Sequence, residues 1–426
     1  MVPYLEGYEA MLSWFRFVTI KRMQIADDNG ICQGQGQYLN KARFLLARIG
    51  IGIAEADQRA RPFLFAVGPM PPPVHGQAET TKAVVEYLSR RGAIYIANVS
   101  PSNTTSIYKG LRGHATKCGR VLLAMLKLPF CAVGRPRRNL YMSVDGAYGI
   151  LYNIAVAAVA RLCGYRIYVH YHSFAYVNAY SRLIDLLARV MGKRGRHIVL
   201  CDTMKTGLQA RYPWIRDAIF MELASAAFIP VTPRATRRMA EDLRIGFLSN
   251  LIIEKGLDTC IDLLRQARKE GLPVQLAIAG AFPDAESESL VRSAELEFGS
   301  ALEYCGRLSE EQKAAFLCSL DIFSFPTRYV NEAQPRAIIE AMCFGVPVIT
   351  VTRGCIPCDI GGQGGLCIPV DTDFVEAVMP QIRQWCDDRA LLAASGAHAA
   401  QRAAELHKNG LQHMNAIANS IFQEET

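Results

Sequence analysis

The chain has 426 residues, carries 47 Lys and Arg against 39 Asp and Glu, and is 50% hydrophobic. That composition excludes a disordered chain, and the length allows two domains that each bury a full core. No apolar run is long enough to span a bilayer, because the longest, Ile150 to Cys163, is interrupted by Asn153 and Arg161.

Residues 1–61 show no clear element. The hydrophobic part from Leu12 to Ile20 contains Arg16 and no cleavage pattern comes after it, so a signal peptide is not expected. A poorly ordered N-terminal extension is the expected reading, beside a membrane-lying amphipathic segment or an over-long start with initiation nearer Met23. Phe63 to Val67 then reads as a buried parallel strand, followed by the loop Gly68 to Gly76. A helix is predicted from Gln77 to Arg91 with Val84, Val85 and Leu88 inward, then a strand from Ala93 to Val99. Strands at Leu140 to Ser143, Ile167 to His170 and His197 to Cys201 continue the alternation. The stretch Ala224 to Leu243, with Pro230 and Pro233, reads as an interdomain linker. A second set of strands begins at Ile245, Gln275, Leu302, Asp321, Pro347 and Gly365, and the chain is helical from about Phe374. This alternation of strand and helix implies α/β architecture with doubly wound parallel sheets.

Charge divides unevenly. Residues 62–225 hold 21 Lys/Arg and 7 Asp/Glu, a net of +14, whereas residues 226–426 hold 18 and 26, a net of −8. A basic bias across a whole domain suits an anionic partner. Without aromatic-basic interleaving or a nucleic-acid motif, a membrane surface or lipid phosphate is expected rather than nucleic acid. For any single cluster, such as Arg135 to Arg138, a solvated surface explains the charge equally well. The 13 cysteines are scattered and odd in number, many inside apolar runs, Cys201 among them. Buried reduced thiols of a cytosolic protein are therefore expected rather than a disulfide framework. Cys355 and Cys358 form a single CxxC without a second pair or nearby His, which reads as an ordinary loop before zinc or redox chemistry.

The densest signal runs from Asp321 to Gly354. An apolar strand ends at Pro326, a polar loop carries Glu332, and a helix with Pro335 near its first turn carries Glu340. Two carboxylates flanking a helix N-terminus could hold hydroxyls of a sugar and a ribose, with free amides between them facing a phosphate. A capping carboxylate and a solvated helix face are the bland alternatives. The second fits Glu340 poorly, because Ile338, Ile339, Ala341 and Met342 crowd its helix.

Here the chain resembles the retaining glycosyltransferases of family 4, whose hallmark is this E-x7-E element. Glu332 and Glu340 match its glutamates, Gly345-Val-Pro-Val-Ile matches the turn into the next strand, and Gly246 to Gly256 matches the strand and loop ending in Lys-Gly. The resemblance is strongest from Arg244 to Val370, weaker from Pro62 to Arg211, and does not cover residues 1–61. It implies the GT-B fold of two facing Rossmann-like domains with a C-terminal crossover helix. Residues 62–225 would form the acceptor domain and 226–395 the nucleotide-sugar donor domain, with helices of 396–426 packing back on the first.

The resemblance also assigns roles. Lys255 becomes the diphosphate lysine and Glu340 the ribose ligand. Glu332 contacts the transferred sugar, with the backbone of Ala333 and Gln334 close to sugar and phosphate, and Leu308 lies where the main chain packs on the base. His172 corresponds to the active-site histidine, while His170, one step deeper on the same face, reads as a satisfied core residue. Gly76 would let the first loop approach an anion, although a helix-capping turn explains it equally well. The family often has two adjacent glycines there, where this chain has Gly76-Gln77. It also tends to place an arginine where this chain has Asn250, which leaves leaving-group charge to Lys255 and helix N-termini; Arg307, Arg328 and Arg336 could compensate, although each reads first as a surface or structural arginine.

The expected activity is retaining transfer of a sugar from a nucleotide-diphosphate donor to a glycan or lipid-linked hydroxyl, in envelope or exopolysaccharide synthesis. No metal or other cofactor is expected, since no suitable Asp-x-Asp is present, and the expected location is the cytoplasmic face of a membrane. A non-catalytic scaffold in polysaccharide assembly and a GT-B sugar-nucleotide epimerase are the alternatives. An NAD dehydrogenase is disfavoured because no G-x-G-x-x-G comes after the first strand.

Overall fold

The strand expected at Phe63 forms as β1 (Phe63–Gly68) and is buried at all six positions, as a central parallel strand covered on both faces must be. It belongs to a computed structural model that describes residues 62–100, 111–230, 242–362 and 364–423, all within one compact unit, Arg59–Thr426. The expected extension (1–61) and the middle of the expected linker (231–241) lie outside the described residues.

Beside β1 stand β2 (Ala93–Asn98), β3 (Arg138–Ser143), β4 (Arg166–His170), β5 (Arg196–Val199) and β6 (Ile219–Glu222), in the order β2-β1-β3-β4-β5-β6. A second sheet contains β7 (Leu243–Leu248), β8 (Val274–Ala279), β9 (Leu302–Tyr304), β10 (Ile322–Phe325), β11 (Val348–Val351) and β12 (Gly365–Ile368), in the order β12-β11-β10-β7-β8-β9. Every pairing in both sheets is parallel. The order reverses between β1 and β3 in the first sheet and between β7 and β10 in the second. Loops leaving the C-terminal ends of such strands diverge and open a crevice.

Helices connect the strands. Those of the first half are α1 (Gly76–Ser89), α2 (Leu111–Ala132), α3 (Ile150–Leu162), α4 (Ala175–Asn178), α5 (Arg182–Met191) and α6 (Asp202–Arg211). Those of the second are α7 (Leu257–Lys269), α8 (Ala285–Phe298), α9 (Glu310–Ser319), α10 (Arg336–Cys343), α11 (Ile356–Ile360), α12 (Phe374–Asp387) and α13 (Arg389–Phe422). The predicted inner face of α1 is observed, with Val84, Val85 and Leu88 at most 2% exposed.

The first sheet has a core on each face. One includes Phe65, Leu140, Val169 and Leu128, and the other joins Leu64, Val84 and Tyr168 to Met414, Ile417 and Ile421 of α13. The 34-residue α13 is therefore a crossover helix. It also bonds to the first half directly: Asn139 donates to the Ile421 carbonyl at 2.8 Å, and the Tyr168 hydroxyl donates to the Ser420 carbonyl at 2.8 Å. The start of the expected linker is not loose chain. Ser225–Phe228 form a 3-10 turn whose Ala226 and Ala227 are buried, and the Ala226 carbonyl lies 3.0 Å from Nδ1 of His407 on α13.

The cysteine expectation needs correction at one pair. Cys201, at the N-cap of α6, and Cys355, at the N-cap of α11, form a disulfide across 154 residues. Sequence spacing could not announce it, because the partners meet only when the two halves dock. The other described cysteines are free thiols, Cys358 among them.

Candidate active site

The loops that leave the second sheet at its reversal point bring two oppositely charged groups into contact. Lys255 ends a 3-10 turn after β7, and Glu332 lies in the loop after β10. Their side chains pair at 2.5 Å and are 19% and 9% exposed. Gly256 makes this approach possible. It adopts φ +90, and a Cβ there would collide with the Pro326 carbonyl at the exit of β10. The Lys255 ammonium also stands over the Phe325 and Tyr329 rings, at 5.5 and 5.4 Å.

The Glu332 loop is held down from three sides. Cys355 N–H donates to the Ala333 carbonyl at 2.8 Å, and Ala333 packs in the first sheet's core. Gln334 accepts from Ser225 N–H at 2.7 Å and donates to Asp359 at 2.8 Å, so its side chain is committed to structure. Asp359 is buried and its carboxyl is pushed up to about 7 by desolvation. Glu340, only 9% exposed, meets Lys313 at 3.1 Å and Arg336 at 3.6 Å. Its burial agrees with the crowding read from its helix, while Lys313 arrives from α9 and was not foreseen.

Across the crevice, the loop after β4 carries His172. The Phe174 N–H donates to the Asn331 carbonyl at 3.4 Å and the Asn178 amide to the Val330 carbonyl at 2.6 Å. These bonds lay the His172 loop against the Glu332 loop. Burial holds the His172 imidazole down to about 3, with His75 contributing, so it is neutral near pH 7. Its Nε2 is covered and has no hydrogen-bond partner among the described residues. His170, its ring tilted against that of His172 at 4.0 Å between centroids, is fully buried, and its Nδ1 pairs with the Tyr141 hydroxyl at 2.8 Å.

Gly76 begins α1, with His75 as N-cap accepting from Ala78 N–H through Nδ1. A Cβ at Gly76 would meet nothing within 4 Å, so neither packing nor backbone demands glycine there. Neighbouring Gln77 bonds Ser143 and the Val144 carbonyl, which ties α1 to the end of β3. Asn250 is exposed just beyond β7, and Leu308 is partly buried beyond β9. All nine predicted residues thus lie beyond the C-terminal ends of parallel strands, where crevice ligands bind in such sheets.

Sequence reasoning missed His75, which precedes Gly76, and the pair Lys117–Asp145 at 2.9 Å, whose partners come from α2 and the loop after β3. The capping position of His75 was a local signal that could have been read. The lysine–aspartate contact had none. Among the described residues no group of three or more His, Cys, Asp or Glu is placed to hold a metal ion.

Residues 242–388, which hold β7 to β12 and both glutamates, match the family described as Glycosyl transferases group 1. Over 147 residues the chain is 28% identical to WcaL of Escherichia coli (strain K12), named as a putative colanic acid biosynthesis glycosyltransferase; the match covers 33% of this chain and 36% of that protein. It is 30% identical over 103 residues to the MMP alpha-(1->4)-mannosyltransferase of Mycolicibacterium hassiacum, covering 24% of each. The chain thus matches only 24% to 36% of the length of these curated relatives.

Among solved structures, sucrose-phosphate synthase from Thermosynechococcus elongatus superposes with a TM-score of 0.63 at 16% identity, covering 84% of this chain and 99% of that one. Anabaena HepE in complex with UDP gives 0.61 at 13% identity, covering 84% and 100%. The fold these structures share with the chain, two facing parallel sheets and a C-terminal crossover helix, is GT-B.

Proposed function

We propose that the chain is a retaining glycosyltransferase of the family 4 type. It moves a sugar from a nucleotide-diphosphate donor to a hydroxyl of a glycan or lipid-linked acceptor in envelope or exopolysaccharide synthesis, at the cytoplasmic face of a membrane. The observation that carries the reading is the Lys255–Glu332 pair at the second sheet's reversal point, closed over by the loop of the neutral His172. The relatives' names, for colanic acid biosynthesis and mannosyl transfer, and the UDP held by HepE support it.

In this reading the donor diphosphate takes Lys255 away from Glu332. Lys255 then neutralises the charge that grows as the bond between the anomeric carbon and the phosphate oxygen breaks. Glu332, freed from the lysine, accepts from sugar hydroxyls, and Glu340 accepts from the ribose. The acceptor oxygen attacks from the face the phosphate leaves, its proton passing to the departing phosphate oxygen, so no enzymic nucleophile is required. Neutral His172 donates one hydrogen bond to the sugar. Docking of the two loops excludes water from the reacting centre. Lys255 and the helix N-termini take the place of a metal ion.

The test is thermal unfolding with UDP, GDP or ADP in EDTA, then mass and anomeric analysis of product from the sugar nucleotide whose base stabilises. Stabilisation by one diphosphate and a product of retained configuration are expected. No shift with any diphosphate would favour the scaffold alternative, and conversion of donor without acceptor would favour an epimerase.

A further inference from the structure

Three cysteines meet where the two halves face each other. Cys201 comes after β5 of the first sheet and Cys355 after β11 of the second, so their disulfide joins the exits of strands from different sheets. Both sulfurs belong to buried residues. Cys358 is a free, half-buried thiol in the same neighbourhood. Its Sγ lies 3.2 Å from the Thr203 hydroxyl on α6, two residues beyond Cys201. Cys355 is the N-cap of α11 and Cys358 its third residue, positions whose side chains approach each other. A bond that only braced the fold would need no third sulfur beside it.

Helix α11 couples this bond to the site. Cys355 N–H donates to the Ala333 carbonyl at 2.8 Å, and Asp359 accepts from the Gln334 amide at 2.8 Å. A Cβ on Gly354 would strike the Glu332 and Ala333 carbonyls, so the Glu332 loop lies directly on the start of α11. Arg402 of α13 donates to the Cys358 and Asp359 carbonyls at 2.6 and 3.0 Å, while Ala399 and Ala403 beside it pack in the second half's core. Thus α11 and the Glu332 loop form one block with the second half, and the disulfide is a covalent strap from that block to the first.

We propose that Cys358 makes this strap a switch by thiol–disulfide exchange. Its thiolate attacks Sγ of Cys355, the Cys201–Cys355 bond breaks, and a Cys355–Cys358 bond forms. Cys201 leaves as a thiolate and takes up the proton that Cys358 gave up. One disulfide replaces another, so neither oxidant nor reductant is consumed. A bond between the halves becomes a bond within one turn of α11, which restrains nothing beyond that turn. A dithiol can then reduce it through half-buried Cys358, becoming a disulfide itself and leaving three thiols. Strapped, the Glu332 loop stays against the His172 loop and a bound nucleotide leaves slowly; released, the loops can part. At the cytoplasmic face proposed above, disulfides are mostly transient and redox-sensing. The effect on sugar transfer rests on the glycosyltransferase reading, whereas the exchange does not.

The experiment maps disulfides in the air-oxidised full chain by acid quench, thiol alkylation and peptide mass. In mildly alkaline buffer wild type should yield both Cys201–Cys355 and Cys355–Cys358 peptides. Cys358→Ser should yield Cys201–Cys355 alone, and dithiothreitol should reduce it about tenfold more slowly than wild type, because its sulfurs are covered. Hydrogen exchange across residues 328–335 should be slow in oxidised Cys358→Ser. It should be several-fold faster in Cys201→Ser and in wild type under dithiothreitol. Release of fluorescent UDP, GDP or ADP should quicken in the same two released forms. Reduced wild type reaches the released state without substitution, which guards against misfolding of the variant. Cys201–Cys355 as the sole disulfide of wild type, or reduction of Cys358→Ser as fast as wild type, would overturn the exchange. Equal hydrogen exchange in strapped and released forms would overturn the clamp, as would nucleotide release that ignores the bond. Loop release without binding of any of the three diphosphates would keep the switch and remove the glycosyltransferase reading.

Discussion

Replacing Glu332 by Gln separates its two proposed duties, restraining Lys255 and holding the sugar. With side-chain exposures of 19% and 9%, the pair sits in a largely dry site. Two unit charges 2.5 Å apart attract by about 7 kcal/mol at an effective dielectric of 20, most of which is offset by desolvation. Glutamine keeps the shape and one hydrogen bond, and Lys255 keeps its aromatic neighbours Phe325 and Tyr329. The cost to folding should therefore be about 3 kcal/mol, the low end for removing one partner of a buried pair. For the nucleotide the sign reverses. A diphosphate no longer has to displace a carboxylate from Lys255, so nucleoside diphosphate affinity should hold or rise by up to about tenfold, or 1.4 kcal/mol. Turnover of the intact donor should fall by about a hundredfold, because the group that orients the sugar and answers developing charge is gone. Lys255→Ala is the counterpart and should weaken diphosphate binding by roughly ten- to a hundredfold, as loss of a charged hydrogen bond does. Calorimetric titration with diphosphate, beside initial rates with the sugar nucleotide, measures both. If Glu332→Gln loses affinity in step with turnover, the competition between carboxylate and phosphate for Lys255 is refuted.

Other consequences are as direct. Gly76→Ala should leave thermal stability unchanged, since its Cβ enters open space, yet raise the KM for donor or acceptor several-fold; unchanged kinetics would make Gly76 an ordinary cap. Burial keeps His170, His172 and His197 neutral, the last two at about 3, so the unfolded chain protonates first and stability falls as pH drops below about 6.5. Each should forfeit about 1 kcal/mol between pH 6.5 and 5.5, read by denaturant unfolding at the two values. Asp359 acts oppositely, because its folded value of about 7 exceeds its ordinary one and its contribution weakens as pH rises toward 7. Asp359→Asn should therefore steepen the acid loss. The Cys201–Cys355 bond closes a 154-residue separation and should add about 4–5 kcal/mol by loop entropy; dithiothreitol should lower the melting temperature of wild type but not of Cys201→Ser.

How much of this was legible in the sequence depends on where each feature sits. Central strands such as β1 and β10 are apolar at nearly every position because helices cover both faces, and those runs stand out. The sixth strand, β6, was missed: it is a four-residue edge strand with Ile219 49% exposed, so burial never impressed a pattern on it. Glu340 was legible as a buried carboxylate because its helix neighbours are apolar. Its partner Lys313 was not, for it stands 27 residues away on another helix. The Lys255–Glu332 contact was hidden for the same reason. Both residues were singled out, yet nothing local shows that their loops leave adjacent strands. Gln334 was chosen for its backbone, and the structure adds that its side chain locks Ser225 to Asp359.

The long helix α13 has a consequence for how the molecule comes into being. Tyr168 and Asn139, in β4 and β3, depend on Ser420 and Ile421, and Tyr87 of α1 shares the Asn415 side-chain oxygen with Arg91. During synthesis the first half therefore emerges with one face uncovered, and it waits until α13 has left the ribosome. A fragment ending before α13 would expose Leu64, Val84 and Tyr168 together as a sticky apolar face. The two halves are thus unsuited to separate expression, and nascent chains are most vulnerable to aggregation before α13 emerges.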